Sequence, residues 1–169
     1  MHTDYNEKEC ALVYEYFRYT LLSLLKEYPD FPVAAIKEIL RYTGEAVKEL
    51  HDKNWIHIGM MPRTLNITLQ ELSHWPFPPD VKPDNILVDW TSDEQGKPIV
   101  KRVALGDFDI ALKLKGEKPL RAPHAVGNVF WRSPEGQTGK GVAKPSDVFS
   151  FGLVVSELSF GRSTRAKPR

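Results

Sequence analysis

With 169 residues, 41% of them hydrophobic and 27% charged, the chain can bury one real core and has the composition of a single ordinary globular domain. Lys and Arg total 23 against 22 Asp and Glu, and a net charge of +1 points to neither a nucleic acid nor an anionic membrane as partner. Cys10 is the sole cysteine, which excludes an internal disulfide framework and a cysteine-based zinc site and leads us to expect a reducing, cytoplasmic or nuclear setting.

In chain order, ALVYEYF (11–17) is apolar and aromatic enough for a short buried strand, and RYTLLSLLKEY (18–28) has the leucine density of a short helix. From Pro32, which suits a first helical turn, Val33, Ile36, Ile39, Leu40, Val47 and Leu50 recur at helical spacing and predict one long amphipathic helix. Gly44 sits inside it at a cost of about 1 kcal/mol relative to Ala. The segment 59–79 reads as a loop, because Pro76, Pro78 and Pro79 crowd its end and forbid regular structure there. NILVDW (85–90) and VKRVALGDF (100–108) predict two strands of a β-hairpin across the polar turn TSDEQGKP. SDVFSFGLVVSEL (146–158) is apolar over most of its length, so as a helix it is expected to be central and buried. No apolar run approaches the roughly 20 residues that cross a bilayer, and the polar first ten residues lack a signal-peptide core, so neither secretion nor membrane insertion is expected.

Chemistry concentrates in two places. In DVKPDN, the spacing of Asp80, Lys82 and Asn85 lets one loop present a base, a phosphate-facing ammonium and a metal-binding amide. In GDF (106–108), Asp107 at the end of the second predicted strand offers a carboxylate suited to magnesium. Phosphoryl transfer needs positioned groups of this kind around metal-bound phosphate and little covalent help. His51, His74 and His124 have no partners at metal spacing and read as surface or packing residues; Tyr14, Tyr16 and Phe17 read as core and hinge packing.

Together these segments resemble a protein kinase catalytic domain of the serine/threonine type. Asp80 to Asn85 is similar to the catalytic loop, Asp107 and Phe108 to the DFG motif, and Ser133, Pro134 and Glu135 to the APE motif, all in family order. ALVYEYF resembles the last N-lobe strand and hinge, and SDVFSFG the central C-lobe helix. The resemblance implies an α+β, kinase-like fold: a partial C-lobe, mainly helical with a β-hairpin, over residues 5–162, with the N-lobe almost entirely missing and 163–169 a truncated tail. Within it fall a hinge at 11–18, a catalytic loop at 57–58 and 80–85, an activation segment at 107–135 and a central helix at 146–160.

It further implies ATP and Mg2+ as cofactors and a protein hydroxyl as substrate. Asp80 would accept the substrate proton, Lys82 would neutralise the transferred phosphate, and Asn85 and Asp107 would hold metal. Backbone near Glu15 and Phe17 would meet adenine, Asp147 would hydrogen-bond the catalytic-loop backbone, and Glu135 would pair with an arginine.

Several positions depart from the family pattern. Ile58 stands where many kinases carry the arginine that binds a phosphorylated activation loop, and Asp109 replaces the DFG glycine. The family's glycine-rich loop, strand lysine and helix glutamate do not precede the hinge, and GQTGKG (136–141) is no substitute, since its glycines follow SPE in the wrong order. Weak ATP binding is expected on that account. Deleting 59–79 would join WIHI directly to DVKPDN, so the segment is either a true loop or a retained intron, for which Gly59 as GGT and Pro79 as CCA before Asp80 would supply the splice dinucleotides. Three outcomes stay open: an enzyme lineage, a pseudokinase acting as a binding module, and a fragment too exposed to persist.

Overall fold

The computed structural model describes residues 2–6, 11–57, 83–108, 111–116, 118–120 and 133–163. The predicted loop 59–79, Ile58, Asp80, Lys82, Asp109, His74 and His124 lie outside the described residues.

Strands β1 (His2–Asn6) and β2 (Ala11–Tyr14) form an antiparallel pair. The predicted strand therefore stops at Tyr14, and residues 15–17 leave it without regular structure, with Tyr14 and Tyr16 exposed rather than packed in a core. A two-residue strand β3 (Tyr19–Thr20) then leads into helix α1 (Leu21–Glu27). Leucine density alone places that helix start too early. The boundary is set by a capping box, in which Thr20 Oγ1 accepts from Ser23 N–H at 3.1 Å and Ser23 Oγ accepts from Thr20 N–H at 2.9 Å.

Helix α2 (Val33–Asp52) follows the predicted span, with Pro32 just outside its first turn. Ala35, Ile36, Ile39, Thr43 and Val47 are its buried face, spaced as a single apolar stripe requires. The hydroxyl of buried Thr43 is satisfied by donating to Ile39 O at 2.8 Å. After α2, β4 (Trp55–Ile56) pairs with β7 (Leu112–Lys113), which ties the end of α2 to the segment beyond the GDF motif.

A short 3-10 turn (Pro83–Asn85) opens β5 (Ile86–Ser92), which pairs antiparallel with β6 (Pro98–Leu105). Asn85 is thus in the turn and Asp107 lies two residues past the strand, so both predicted strands are trimmed at the ends that bear chemistry. The hairpin turn is closed by Asp93, whose Oδ1 accepts from Gln95 N–H at 2.9 Å and Lys97 N–H at 2.7 Å, with Gly96 at a φ of 78°. Strands β3, β5 and β6 make one sheet in that order. Its inner residues Ile86, Val88 and Val100 join Leu21, Leu24, Leu25, Ile36, Ile39 and Val154 in the main core. At its edge, Trp90 meets Tyr28 and Phe31 edge-on at centroid separations of 5.2 and 5.1 Å.

Helix α3 (Pro134–Gln137) is capped by Ser133, whose Oγ accepts from Gly136 N–H at 3.3 Å. Helix α4 (Lys144–Ser163) packs on α2 and β4 through one side only. Val154 is fully buried, whereas Val148 and Phe149 are 56% and 39% exposed. The expected central, buried helix is thus buried on the side that faces α2 and β4 and exposed at Val148 and Phe149.

Of the GQTGKG glycines, Gly141 is the constrained one. It has a φ of 102°, and a Cβ there would stand 3.0 Å from Leu120 O and from Pro119 Cβ, beside the reciprocal Leu120–Val142 backbone bonds. Gly141→Ala is expected to destabilise by about 2 kcal/mol, and Gly139→Ala, at a φ of 69° but in open space, by about half as much, as read by thermal melts of the two variants.

Candidate functional site

The site is built where the end of α2, the start of β5, the end of β6 and the start of α4 meet. Asn85 is buried, and its backbone carbonyl accepts from Gly106 N–H at 2.8 Å, extending the β5–β6 pairing by one step into the GDF segment. That bond brings Asn85 and Asp107, the two candidate metal donors, to the same end of the hairpin. Asp107 itself is exposed and takes a φ of 61°. A left-handed backbone at a non-glycine residue costs on the order of 1 kcal/mol and recurs where function dictates conformation.

His57 anchors this end. It is buried, its Nε2–H donates to Gly106 O at 2.9 Å, and its ring meets the Phe108 ring edge-on at 4.9 Å. Behind it lies buried Asp147, at the start of α4. One carboxylate oxygen, Oδ2, accepts both the His57 backbone N–H at 2.8 Å and His51 Nε2–H at 2.9 Å. His51 is therefore neither a surface nor a purely packing residue: it links the last turn of α2 to the α4 carboxylate. Sequence reasoning missed it because a lone histidine carries no partner within helical reach, and Asp147 is 96 residues away.

The hinge docks on the middle of the hairpin, at the Asp89–Arg102 register pair. Glu15 and Phe17 are brought together by a residue that the sequence did not single out, Arg102 on β6. Its Nη1 pairs with Glu15 Oε2 at 2.6 Å, its Nη2 donates to Tyr16 O at 3.0 Å, and its guanidinium lies 4.5 Å from the Phe17 ring centroid. Asp89, its cross-strand partner on β5, accepts from Arg102 Nε at 3.1 Å and also from Nη2. Burial pushes the Asp89 carboxyl up, but the Arg18 amide and the Arg102 guanidinium more than offset it and hold it below the usual carboxylate range.

In the SPE motif, Glu135 Oε1 accepts from Ser146 Oγ at 2.9 Å, which joins α3 to α4. Burial raises this carboxyl, and bonds from Ser133, its own backbone and Ser146 lower it further than burial raises it. Its partners among the described residues are the Ser133 and Ser146 hydroxyls and its own backbone N–H. Among the described residues no group of three or more His, Cys, Asp or Glu could hold a metal ion. No helix of the described residues is long and apolar enough to cross a membrane.

Comparison with known proteins identifies the family. The protein kinase domain family matches residues 78–167. The L-type lectin-domain containing receptor kinase SIT2 of Oryza sativa subsp. japonica is 36% identical over 89 residues, 52% of this chain and 12% of that protein. Serine/threonine-protein kinase PrkC of Bacillus subtilis is 32% identical over 83 residues, 49% of this chain and 11% of that protein. Serine/threonine-protein kinase STE11 of Saccharomyces cerevisiae is 29% identical over 142 residues, 83% of this chain and 16% of that protein. The chain thus spans only a small part of the length of the relatives it matches. With the family match covering more than half of the chain and the GDF and SPE segments in their expected order, this α+β chain belongs to the protein kinase family.

Proposed function

We propose that the chain carries the C-lobe side of a serine/threonine kinase site, which binds ATP with Mg2+ and passes the γ-phosphoryl group to a protein hydroxyl. The observation that carries this reading is Asp107, held left-handed directly after a glycine that is pinned to Asn85 on one side and His57 on the other. The relatives named serine/threonine kinases support the substrate class, as does Lys82 two residues after Asp80.

The donor set fits magnesium. Asn85 and Asp107 both offer oxygen, and Mg2+ is held by one or two protein donors together with waters and phosphate rather than by a full protein cage. When bound, it would supply neutralisation of charge on the phosphate oxygens. The chain's own residues do the rest. Backbone at Glu15 and Phe17 receives adenine, Asp80 orients the hydroxyl and takes its proton, and Lys82 faces the transferred phosphate. His57 and Asp147 fix the GDF segment that carries Asp107. In this reading residues 11–18 are the hinge, 107–135 the activation segment and 146–160 the central helix, and the setting is cytoplasmic or nuclear.

A second reading, a pseudokinase that binds nucleotide without turnover, is favoured by Asp109 in the DFG glycine position, which adds a carboxylate two residues from Asp107. Titration of the full chain with ATP, with and without Mg2+, alongside transfer of labelled phosphate to a basic protein, separates the two. The enzyme reading expects transfer that Asp80→Asn abolishes while ATP affinity stays within about twofold. Binding without transfer supports the pseudokinase, and the absence of magnesium-dependent ATP binding overturns both.

A further inference from the structure

Resting on the nucleotide reading above, we infer that Arg102, held by Asp89, is a positioning residue that locks the hinge so that it selects adenine. One guanidinium engages three successive hinge residues by three different means: the Glu15 carboxylate, the Tyr16 carbonyl and the Phe17 ring. The carboxylate that orients it holds the next residue as well, since Asp89 Oδ1 accepts from Arg18 N–H at 2.8 Å. Residues 15–18 are therefore fixed to the β5–β6 hairpin along their whole length. They have no regular structure of their own, so these contacts supply the order that a strand ladder would otherwise give.

An isolated ion pair this exposed contributes little to stability. Here the geometry is of another kind. Asp89 and Arg102 are register partners, and the β5–β6 register shifts between Asp89 and Trp90, the type of bulge that re-aims a side chain. Arg102 serves Asp89, Glu15 and Tyr16 from three separated nitrogens while its plane meets Phe17, an arrangement that the single nitrogen of an ammonium does not reproduce. Because the Tyr16 carbonyl is committed to Arg102, the hinge peptide groups that remain for a ligand are those flanking it, at Glu15 and Phe17.

The consequence is specificity. Adenine presents an amino donor where guanine presents a carbonyl acceptor. A hinge whose peptide groups cannot rotate accepts one pattern and leaves the other with unpaired buried groups, which is how polar sites discriminate strongly. A hinge released from the hairpin can turn to accept either. Phosphate groups of the ligand do not meet the hinge, so their contribution does not depend on Arg102.

The test is calorimetric titration of the full chain with ATP, GTP and inorganic tripolyphosphate, each with Mg2+, for the wild type, Arg102→Ala, Arg102→Lys and Asp89→Asn, with circular dichroism melts as the folding control. The expected result is a loss of about fivefold in ATP affinity for each variant, with the ATP-to-GTP preference falling by a similar factor and tripolyphosphate affinity unchanged. Arg102→Lys should not restore the preference. Equal losses for all three ligands would reveal a merely structural role and overturn the inference, as would unchanged ATP affinity. A wild type that binds tripolyphosphate but shows no preference for ATP also overturns it; a wild type that binds none of the three removes the nucleotide reading itself. Should Arg102→Ala unfold, Glu15→Ala removes one contact and is read by the same ratio.

Discussion

Asp147→Ala is expected to lower the unfolding free energy by about 3 kcal/mol, a drop of roughly 10 °C in melting temperature for a chain of this size. The single oxygen Oδ2 serves two donors, the His57 backbone N–H at 2.8 Å and His51 Nε2–H at 2.9 Å. Alanine leaves both without their acceptor: the His57 N–H is in a place almost wholly buried, and His51 is largely covered. A buried orphaned donor costs about 1 to 3 kcal/mol, so two of them dominate the lost packing. Asp147→Asn keeps one acceptor oxygen and the volume, and should retain about half of that stability. His51→Ala orphans nothing on His57 and should cost less than Asp147→Ala. The measurement is chemical denaturation followed by Trp fluorescence; a loss under 1 kcal/mol for Asp147→Ala would mean that the two histidine donors are satisfied elsewhere.

Asp107→Asn should weaken magnesium-dependent ATP binding by about tenfold to a hundredfold and leave the fold intact. The magnitude is that of one charge-assisted contact, about 1.5 to 3 kcal/mol. Asparagine is the informative replacement because Asp107 has a φ of 61°, a conformation that asparagine tolerates and alanine resists. A decline seen with asparagine therefore reports the lost carboxylate rather than released backbone strain. Binding of ATP in EDTA should differ little between the two proteins. If the variant retains its magnesium response, Asp107 is not a metal ligand and the functional reading loses its main support.

The sequence by itself determined the long helix, the hairpin and the order of the motifs. Val33, Ile36, Ile39 and Val47 on α2 and the alternating residues of β5 and β6 are read by local periodicity, which depends only on neighbours a few positions away. It also determined family membership, since GDF and SPE are contiguous strings. Element ends were less legible: the Thr20–Ser23 capping box and the turn at Asn85 depend on side-chain bonds that apolar spacing does not encode.

Only the tertiary structure decided what surrounds the site. His51 and Arg102 carry no motif, and their partners Asp147, Glu15 and Tyr16 lie 86 to 96 residues distant. Pairings at that separation follow from how α2, α4 and the hairpin pack, and packing is a property of the whole core. The half-exposed face of α4 was decided in the same way. Its apolar composition states that the helix can be buried, whereas the elements packed against it, α2 and β4 foremost, determine how much of it is covered.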